Sequence, residues 1–124
     1  MQIQNNKISQ LQILVDGIKL LNSGNAAEAA EYFEYLNKKG YKTGASNYYL
    51  GEVAYSQKSY STAIQYYKKS IQSEDKADCT PKLLYHTAIS FDKIGDTQSA
   101  NRFYKALKVG YPDSKEAKAA PNRN

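Results

Sequence analysis

Apolar residues recur along the chain at fixed distances from three short turns. The turns are Ser23–Asn25, Gln57–Ser59 and Ile94–Asp96. A small residue stands seven positions before the centre of each turn, an alanine five positions after it, and an aromatic residue four positions further on. Turn by turn, these residues are Gly17, Ala29 and Phe33, then Gly51, Ala63 and Tyr67, then Ala88, Ala100 and Tyr104. The turns are 34 and 37 residues apart, a period that is typical of a repeat made of two helices.

The pattern predicts three pairs of antiparallel helices that stack as an all-α, right-handed α-solenoid. The small residue on the first helix of a pair (the A helix) and the alanine on the second (the B helix) let the two axes approach to about 8–10 Å. The aromatic residue lies one turn further along the B helix on the same face, where it packs against the next repeat. The predicted helices span residues 9–22, 26–39, 44–57, 60–73, 81–94 and 97–109.

This reading also divides the chain into segments. The segments are an N-terminal extension (1–9), three repeats (10–43, 44–80 and 81–112), and a C-terminal cap and tail (113–124). We expect one further helical turn within 113–120 and a frayed tail from Pro121. The polar connection 73–79 is longer than its counterparts, so we expect it to be mobile. The predicted N-caps are Ser9, Asn25, Thr80 and Asp96.

The composition fits one folded domain and argues against several classes of protein. The chain has 124 residues, 41% hydrophobic and 23% charged, which is the composition of a globular protein. No run of about 18 apolar residues suggests a transmembrane helix. One cysteine and one histidine exclude an intrachain disulfide and a cysteine-based zinc site. The net charge of +5 is modest, and pairs such as Lys38–Lys39 lie at helix ends, where they complement the helix dipole. The charge pattern therefore does not indicate nucleic-acid binding.

The sequence predicts neither catalysis nor a cofactor. Cys79 and His86 lack a third group that would orient the base, and Glu28 and Glu31 lie on an exposed helix face. The chain has no phosphate-binding loop or metal-ligand motif. Its first residues lack the apolar core of a signal peptide, so the chain is either cytosolic or a trimmed piece with Met1 added.

A partner-binding groove is predicted along the A helices, which line the concave side of such a stack. The candidate groove residues are Tyr48, Glu52, Tyr55, Ser56, Lys82, Tyr85, Ile89 and Lys93. Tyrosine offers a large contact area and one hydroxyl, which suits recognition of a peptide or helix. The alternative is packing for Tyr48, Tyr55 and Tyr85, and an ion pair between Glu52 and Lys93.

The first repeat is more apolar in its groove than a solvated surface should be. Leu11, Leu14, Ile18 and Leu21 all fall at groove positions. Either an N-terminal segment of the chain covers them or a partner helix lies on them.

The period and the small–alanine–aromatic pattern resemble the tetratricopeptide repeat superfamily. Within it, residues 47–64, Gly17 to Leu36 and the closing segment 111–117 resemble the repeat domain of the CpoB/YbgF family of the Tol-Pal system. The resemblance covers about residues 14–120 and implies a periplasmic interaction scaffold. The family carries a signal peptide and an N-terminal coiled coil that trimerises. Ile3, Ile8 and Leu11 are then either the end of that coiled coil or the start of the first helix.

The partners that the resemblance implies are TolA and a bifunctional peptidoglycan synthase, so that the scaffold would couple the Tol-Pal system to wall synthesis during cell division. Two alternatives stay open. BamD-like outer-membrane assembly lipoproteins have a similar repeat style. An intracellular peptide-binding or chaperone tetratricopeptide domain would grip a C-terminal carboxylate with several basic A-helix side chains, and here only Lys82 and Lys93 are predicted to face the groove.

Overall fold

The computed structural model describes residues 9–75 and 78–123, and these residues form seven helices. In chain order they are α1 (Gln10–Asn22), α2 (Ala26–Lys38), α3 (Thr43–Ser56), α4 (Tyr60–Gln72), α5 (Thr80–Lys93), α6 (Thr97–Gly110) and α7 (Lys115–Ala119). The six predicted helices are confirmed, each with its ends within one residue of the prediction. The short α7 confirms the expected turn after the third pair.

The helices stack in the order of the chain. Each A helix packs on its own B helix, as α1 on α2, α3 on α4 and α5 on α6, and each B helix packs on the next A helix. The short α7 packs against both α5 and α6 and closes the last pair. The all-α solenoid of helix pairs is therefore confirmed.

In the first two pairs, the aromatic residue of the B helix lies against the small residue of its own A helix, a contact that the sequence pattern did not specify. Phe33 also stacks on Tyr49 of the next repeat, as predicted. A methyl group added at Gly51 would lie 2.5 Å from a ring carbon of Tyr67, and one added at Gly17 would lie 2.9 Å from a ring carbon of Phe33. The alanine of each B helix is fully buried. A larger side chain at these positions would push the helices apart, which is why the sequence keeps them small.

The three turns share a left-handed backbone at their central residue. Gly24 and Gly95 have φ of 89°, and Lys58 has φ of 61° at the equivalent position. Glycine adopts this conformation without steric cost, whereas a lysine does so under strain. The alignment of the three turns made from the sequence is thus supported by their backbone geometry.

Three of the four predicted N-cap positions are correct. The side chains of Ser9 and Asp96 accept hydrogen bonds from the backbone of α1 and α6. Asn25 is the N-cap residue of α2, but its side chain makes no cap hydrogen bond. The cap of α5 is Cys79 rather than Thr80, because Thr80 already belongs to the helix and Pro81 follows within its first turn.

The sequence predicts two flexible segments, the C-terminal tail and the connection after α4. Arg123 Nη1 donates to both carboxylate oxygens of Asp92 at 2.8 Å, and its guanidinium lies over the Tyr104 ring. The expected fraying of the tail is therefore wrong up to this residue. In the connection after α4, the Ser73 hydroxyl lies 2.7 Å from that of Thr43 on α3. Residues 76–77 of this connection, where mobility was expected, lie outside the described residues.

Residues 1–8 of the predicted N-terminal extension, with the possible coiled-coil residues Ile3 and Ile8, also lie outside the described residues, as does Asn124. The division into an extension, three repeats and a cap stays a prediction. Among the described helices, none has the length and apolar character needed to cross a membrane.

Candidate partner-binding face

The A helices α1, α3 and α5, together with α7, are neighbours along one side of the molecule, which we call the A face. Two cavities lie on this face. The N-terminal cavity, of about 360 Å³, is formed by α1, the start of α3 and the connection before α5. The C-terminal cavity, of about 330 Å³, is formed between α5 and α7.

The N-terminal cavity is mainly apolar. Its lining residues are Leu11, Leu14, Ile18, Lys42, Ala45, Tyr49, Asp75, Asp78 and Cys79. Leu11 is 54% exposed although it is a large apolar residue. Two aspartates against one lysine give the charged residues of this cavity a net negative charge. The apolar character expected for the groove of the first repeat is therefore present as a cavity.

The C-terminal cavity has the opposite charge. Its lining residues are Lys82, Tyr85 and His86 from α5, and Lys115, Glu116 and Ala119 from α7. Two lysines against one glutamate make the lining net positive even when His86 is neutral. The helix α7 supplies half of this cavity, so the capping turn also forms part of the face.

A buried carboxylate lies beneath the C-terminal cavity. Glu52 of α3 is only 9% exposed. It accepts hydrogen bonds from the hydroxyl of Tyr48 at 3.1 Å, from the hydroxyl of Tyr67 and from Nδ1 of His86 at 2.7 Å. The ammonium of Lys82 lies 3.7 Å from Oε1 of Glu52, the oxygen that also accepts from Tyr48. This Glu52 network joins α3, α4 and α5, and so links the second repeat to the third.

The electrostatics of the Glu52 network keep the carboxylate charged and the phenols protonated. Burial by itself would raise the pKa of Glu52, but the hydrogen bond and charge of His86, the Tyr67 hydroxyl and Lys82 together hold it below its ordinary value. Burial, followed by the charge of Glu52, raises the pKa of Tyr48 and of Tyr67. Both tyrosines are therefore constant hydrogen-bond donors to Glu52.

Contacts on both sides hold the imidazole of His86 in place. Its Nδ1 carries the hydrogen that Glu52 accepts, because a carboxylate can only accept. Its ring stacks on Tyr55 with centroids 4.1 Å apart and planes at 4°. The side chain therefore has one orientation while it lines the C-terminal cavity.

The comparison with known families decides the class of protein. Tetratricopeptide repeat models match residues 16–78 and residues 82–114. The chain belongs to the tetratricopeptide repeat family. A search of curated proteins gives no match to this tetratricopeptide chain. Members of the family generally act as interaction modules that bind protein or peptide partners.

The tetratricopeptide fold places only part of the predicted groove on the A face. Lys82 and Tyr85 line the C-terminal cavity. Tyr55 is half-buried against His86 and Tyr60. These residues are accessible in part, and their role as partner contacts stays a prediction.

Two predicted contact residues lie too deep for that role. Tyr48 is 2% exposed, and its ring packs near Tyr67 with centroids 6.2 Å apart. Glu52 is fully engaged by its own network. Position along an A helix places both residues on the correct side, but neighbouring side chains cover them. The alternative ion pair between Glu52 and Lys93 is also wrong, because Lys82 and His86 take that place.

The remaining three predicted residues line neither cavity. The hydroxyl of Ser56 donates to the carbonyl of Val53 in its own helix. Ile89 packs, half-buried, against the core of the last repeat, and Lys93 is exposed at the end of α5.

Four residues of the C-terminal cavity were not predicted from the sequence: His86, Lys115, Glu116 and Ala119. His86 follows a predicted groove position, and Lys115 belongs to a helix whose docking the repeat pattern does not specify. One signal pointed to the Glu52 network. Glu52 follows the small residue of its A helix, where the other repeats have Ile18 and Ile89. A charge at an otherwise apolar position indicates buried polar partners.

The chemistry of the described residues does not indicate a nucleophile or a metal site. Burial raises the pKa of Cys79 to about 11, so its thiol is protonated near neutral pH. No three histidine, cysteine, aspartate or glutamate side chains in the described part of the chain are grouped closely enough to hold a metal ion.

Proposed function

We propose that this tetratricopeptide chain is a non-enzymatic adaptor that binds a segment of a partner protein along its A face. The observation that carries the proposal is the pair of neighbouring cavities with opposite net charge. Cys79 lines one and Lys82 lines the other. Only two residues stand between them at the start of α5, so they are separated by about 5 Å of helix rise. One partner segment can therefore contact both.

The cellular role that we propose is that of a CpoB-like scaffold in the periplasm. It would bind TolA and a bifunctional peptidoglycan synthase, and so couple the Tol-Pal system to wall synthesis during cell division. The support for this role is the resemblance in residues 47–64 and in the closing segment 111–117. A homo-oligomer through a preceding coiled coil belongs to the same proposal.

The proposal can be tested by affinity capture from a cell-envelope extract with the chain as bait. The Leu11→Glu variant places a charge in the apolar N-terminal cavity and should abolish capture. The matched control is Val109→Glu, because Val109 is 73% exposed at the end of α6 and lines neither cavity. The control should capture as much as the wild type, and thermal melts should show that both variants stay folded.

The identity of the captured protein tests the cellular role. Recovery of a Tol-complex component or of a peptidoglycan synthase, lost in Leu11→Glu, would support the CpoB-like role. Recovery of cytosolic chaperones or of outer-membrane assembly factors would replace it with one of the alternatives. Capture that Leu11→Glu leaves unchanged would contradict the A face as the binding site.

A further inference from the structure

The C-terminal cavity combines an apolar floor with two lysines that reach it from different helices. Tyr85 of α5 and Ala119 of α7 contribute the apolar part, and Lys82 and Lys115 contribute the charges. The Lys82 side chain is about half exposed, so its ammonium group is open to a ligand. Among the described residues, Lys115 makes no ion pair.

A buried carboxylate contacts two of the α5 side chains that line this cavity. The buried carboxylate of Glu52 lies 3.7 Å from the ammonium of Lys82 and 2.7 Å from Nδ1 of His86. Glu52 therefore holds both α5 side chains at the cavity. Its carboxylate offsets part of the charge of Lys82, which leaves Lys115 as the more available cation of the lining. A cavity whose polar groups are positioned before binding loses less entropy when a ligand enters.

Charge complementarity indicates which ligand fits. A basic partner would meet two lysines, whereas an acidic side chain would pair with Lys115 and with the exposed side of Lys82. Glu116 lowers the positive charge without cancelling it. The flanking Tyr85 and Ala119 favour an acidic residue that has an apolar neighbour.

We propose that the C-terminal cavity binds an aspartate or glutamate side chain within the partner segment, with a neighbouring apolar side chain resting on Tyr85 and Ala119. This inference rests on the proposed A-face adaptor function. The proposal specifies an internal side chain, and a free C-terminal carboxylate is the competing ligand that the test must distinguish from it.

The test uses the full chain, labelled with ¹⁵N, and short synthetic peptides blocked at both ends. One peptide carries two glutamates flanked by leucines, and its matched peptide carries glutamines instead. Titration followed by amide chemical shifts should show changes at the start of α5 and along α7 with the glutamate peptide. The glutamine peptide should bind about five- to tenfold more weakly, since a partly exposed ion pair contributes about 1 kcal/mol.

Variants of α7 provide the matched control. Lys115→Glu should remove the preference for the glutamate peptide. Lys118→Glu makes the same charge change on the same helix at an exposed residue outside the cavity, and should keep the preference. Equal binding of the two peptides, equal loss in both variants, or tighter binding of a glutamine peptide with a free C-terminal carboxylate would overturn the proposal.

The capture experiment distinguishes a failure of the adaptor function from a failure of the acidic-residue inference. If Leu11→Glu abolishes partner capture while Lys115→Glu leaves it unchanged, the A face binds the partner and the acidic-residue inference is wrong. If Leu11→Glu has no effect on capture, the adaptor function on this face fails, and the acidic-residue inference fails with it.

Discussion

The first and second repeats solve the same packing problem with different chemistry. In the first, the ring of Phe33 packs against Gly17, and the next A-helix residue is Ile18. In the second, the ring of Tyr67 packs against Gly51. The residue after Gly51 is Glu52, which accepts a hydrogen bond from the Tyr67 hydroxyl. A single added hydroxyl at the aromatic position is thus matched by a carboxylate on the facing helix.

In the third repeat, the hydroxyl of the aromatic residue also has a carboxylate acceptor, which is an aspartate at a different position of the A helix. The hydroxyl of Tyr104 donates to Asp92 at 3.2 Å, and Asp92 lies four residues after the small residue Ala88. The carboxylate of Asp92 also accepts hydrogen bonds from Arg123 of the tail. A buried aromatic hydroxyl within a helix pair therefore needs an acceptor, and the acceptor determines which further groups gather around it.

The largest effect that we expect comes from removing the carboxylate of the second repeat. Glu52→Ile gives the second repeat the residue of the first, but it leaves the hydroxyls of Tyr48 and Tyr67 and the ring of His86 without their acceptor. The free energy of unfolding should fall by about 3–5 kcal/mol, as when one partner of a buried ion pair is lost. Urea unfolding measures it.

The control for this variant lies in the first repeat. Ile18→Val changes the equivalent position without a polar group and should cost about 0.5–1.5 kcal/mol. If Glu52→Ile costs no more than Ile18→Val, the two junctions do not differ in the way we describe.

We expect a smaller loss of stability when a methyl group fills the space between α3 and the ring of Tyr67. Gly51→Ala should lower the free energy of unfolding by about 1–3 kcal/mol, because the new methyl group would lie 2.5 Å from a ring that is held by Glu52. Gly17→Ala should cost less, since its nearest ring atom is 2.9 Å away and Phe33 has no hydroxyl anchor. Thermal melts of both variants compare them, and the reverse order would contradict the role of the anchor.

The Glu52 network also predicts a pH dependence. The pKa of Glu52 is lowered from its ordinary value of 4.5 in the folded protein, so folding releases protons and the stabilisation is complete above that value. It is lost as the pH falls through the lowered pKa. The difference in unfolding free energy between the wild type and Glu52→Gln should therefore shrink from about pH 6 to about pH 3. The exposed variant Glu31→Gln is the control, and an equal slope in both variants would argue against the network.

The smallest effect concerns the turns. Lys58→Gly should raise the free energy of unfolding by up to about 1 kcal/mol, because it relieves a left-handed lysine at a position where the other two turns have glycine. Gly95→Ala should lower it by about 1 kcal/mol, since an added methyl group meets no atom within 4 Å and only the backbone is strained. Denaturant midpoints detect both changes, and a destabilised Lys58→Gly would contradict the equivalence of the turns.

Most of the fold could be predicted from the sequence because the repeat encodes it locally. The small–alanine–aromatic spacing specifies which helices approach and where, so positions such as Ala63 and Tyr67 are correctly placed in the core. The fold of the tail could not be predicted in this way. Arg123 is held by Asp92 and Tyr104, which are distant in sequence. Tyr104 is the aromatic residue of the third repeat, but the repeat pattern does not specify that the tail returns to it.

The candidate site was predicted less completely. Counting positions along a helix identifies its face, and this placed Lys82 and Tyr85 correctly at a cavity. Counting does not give depth, and depth depends on which side chains lie above a residue. Tyr48 and Glu52 lie on the same side of α3, but neighbouring side chains cover them. Lys115 reaches the cavity only through the docking of α7, which is a tertiary contact.

The most direct test of the account is a double-mutant cycle between Glu52→Ile and His86→Phe, read by urea unfolding, because His86 is the α5 residue that donates to Glu52 and a phenyl ring keeps the stacking on Tyr55. If Glu52 is the acceptor that links the two repeats, removing both groups should cost less than the sum of the two single losses. We predict a coupling energy of about 1–3 kcal/mol. Losses that add to within about 0.5 kcal/mol would show that the two side chains act independently, and would contradict the role of Glu52 as the link between the second and third repeats.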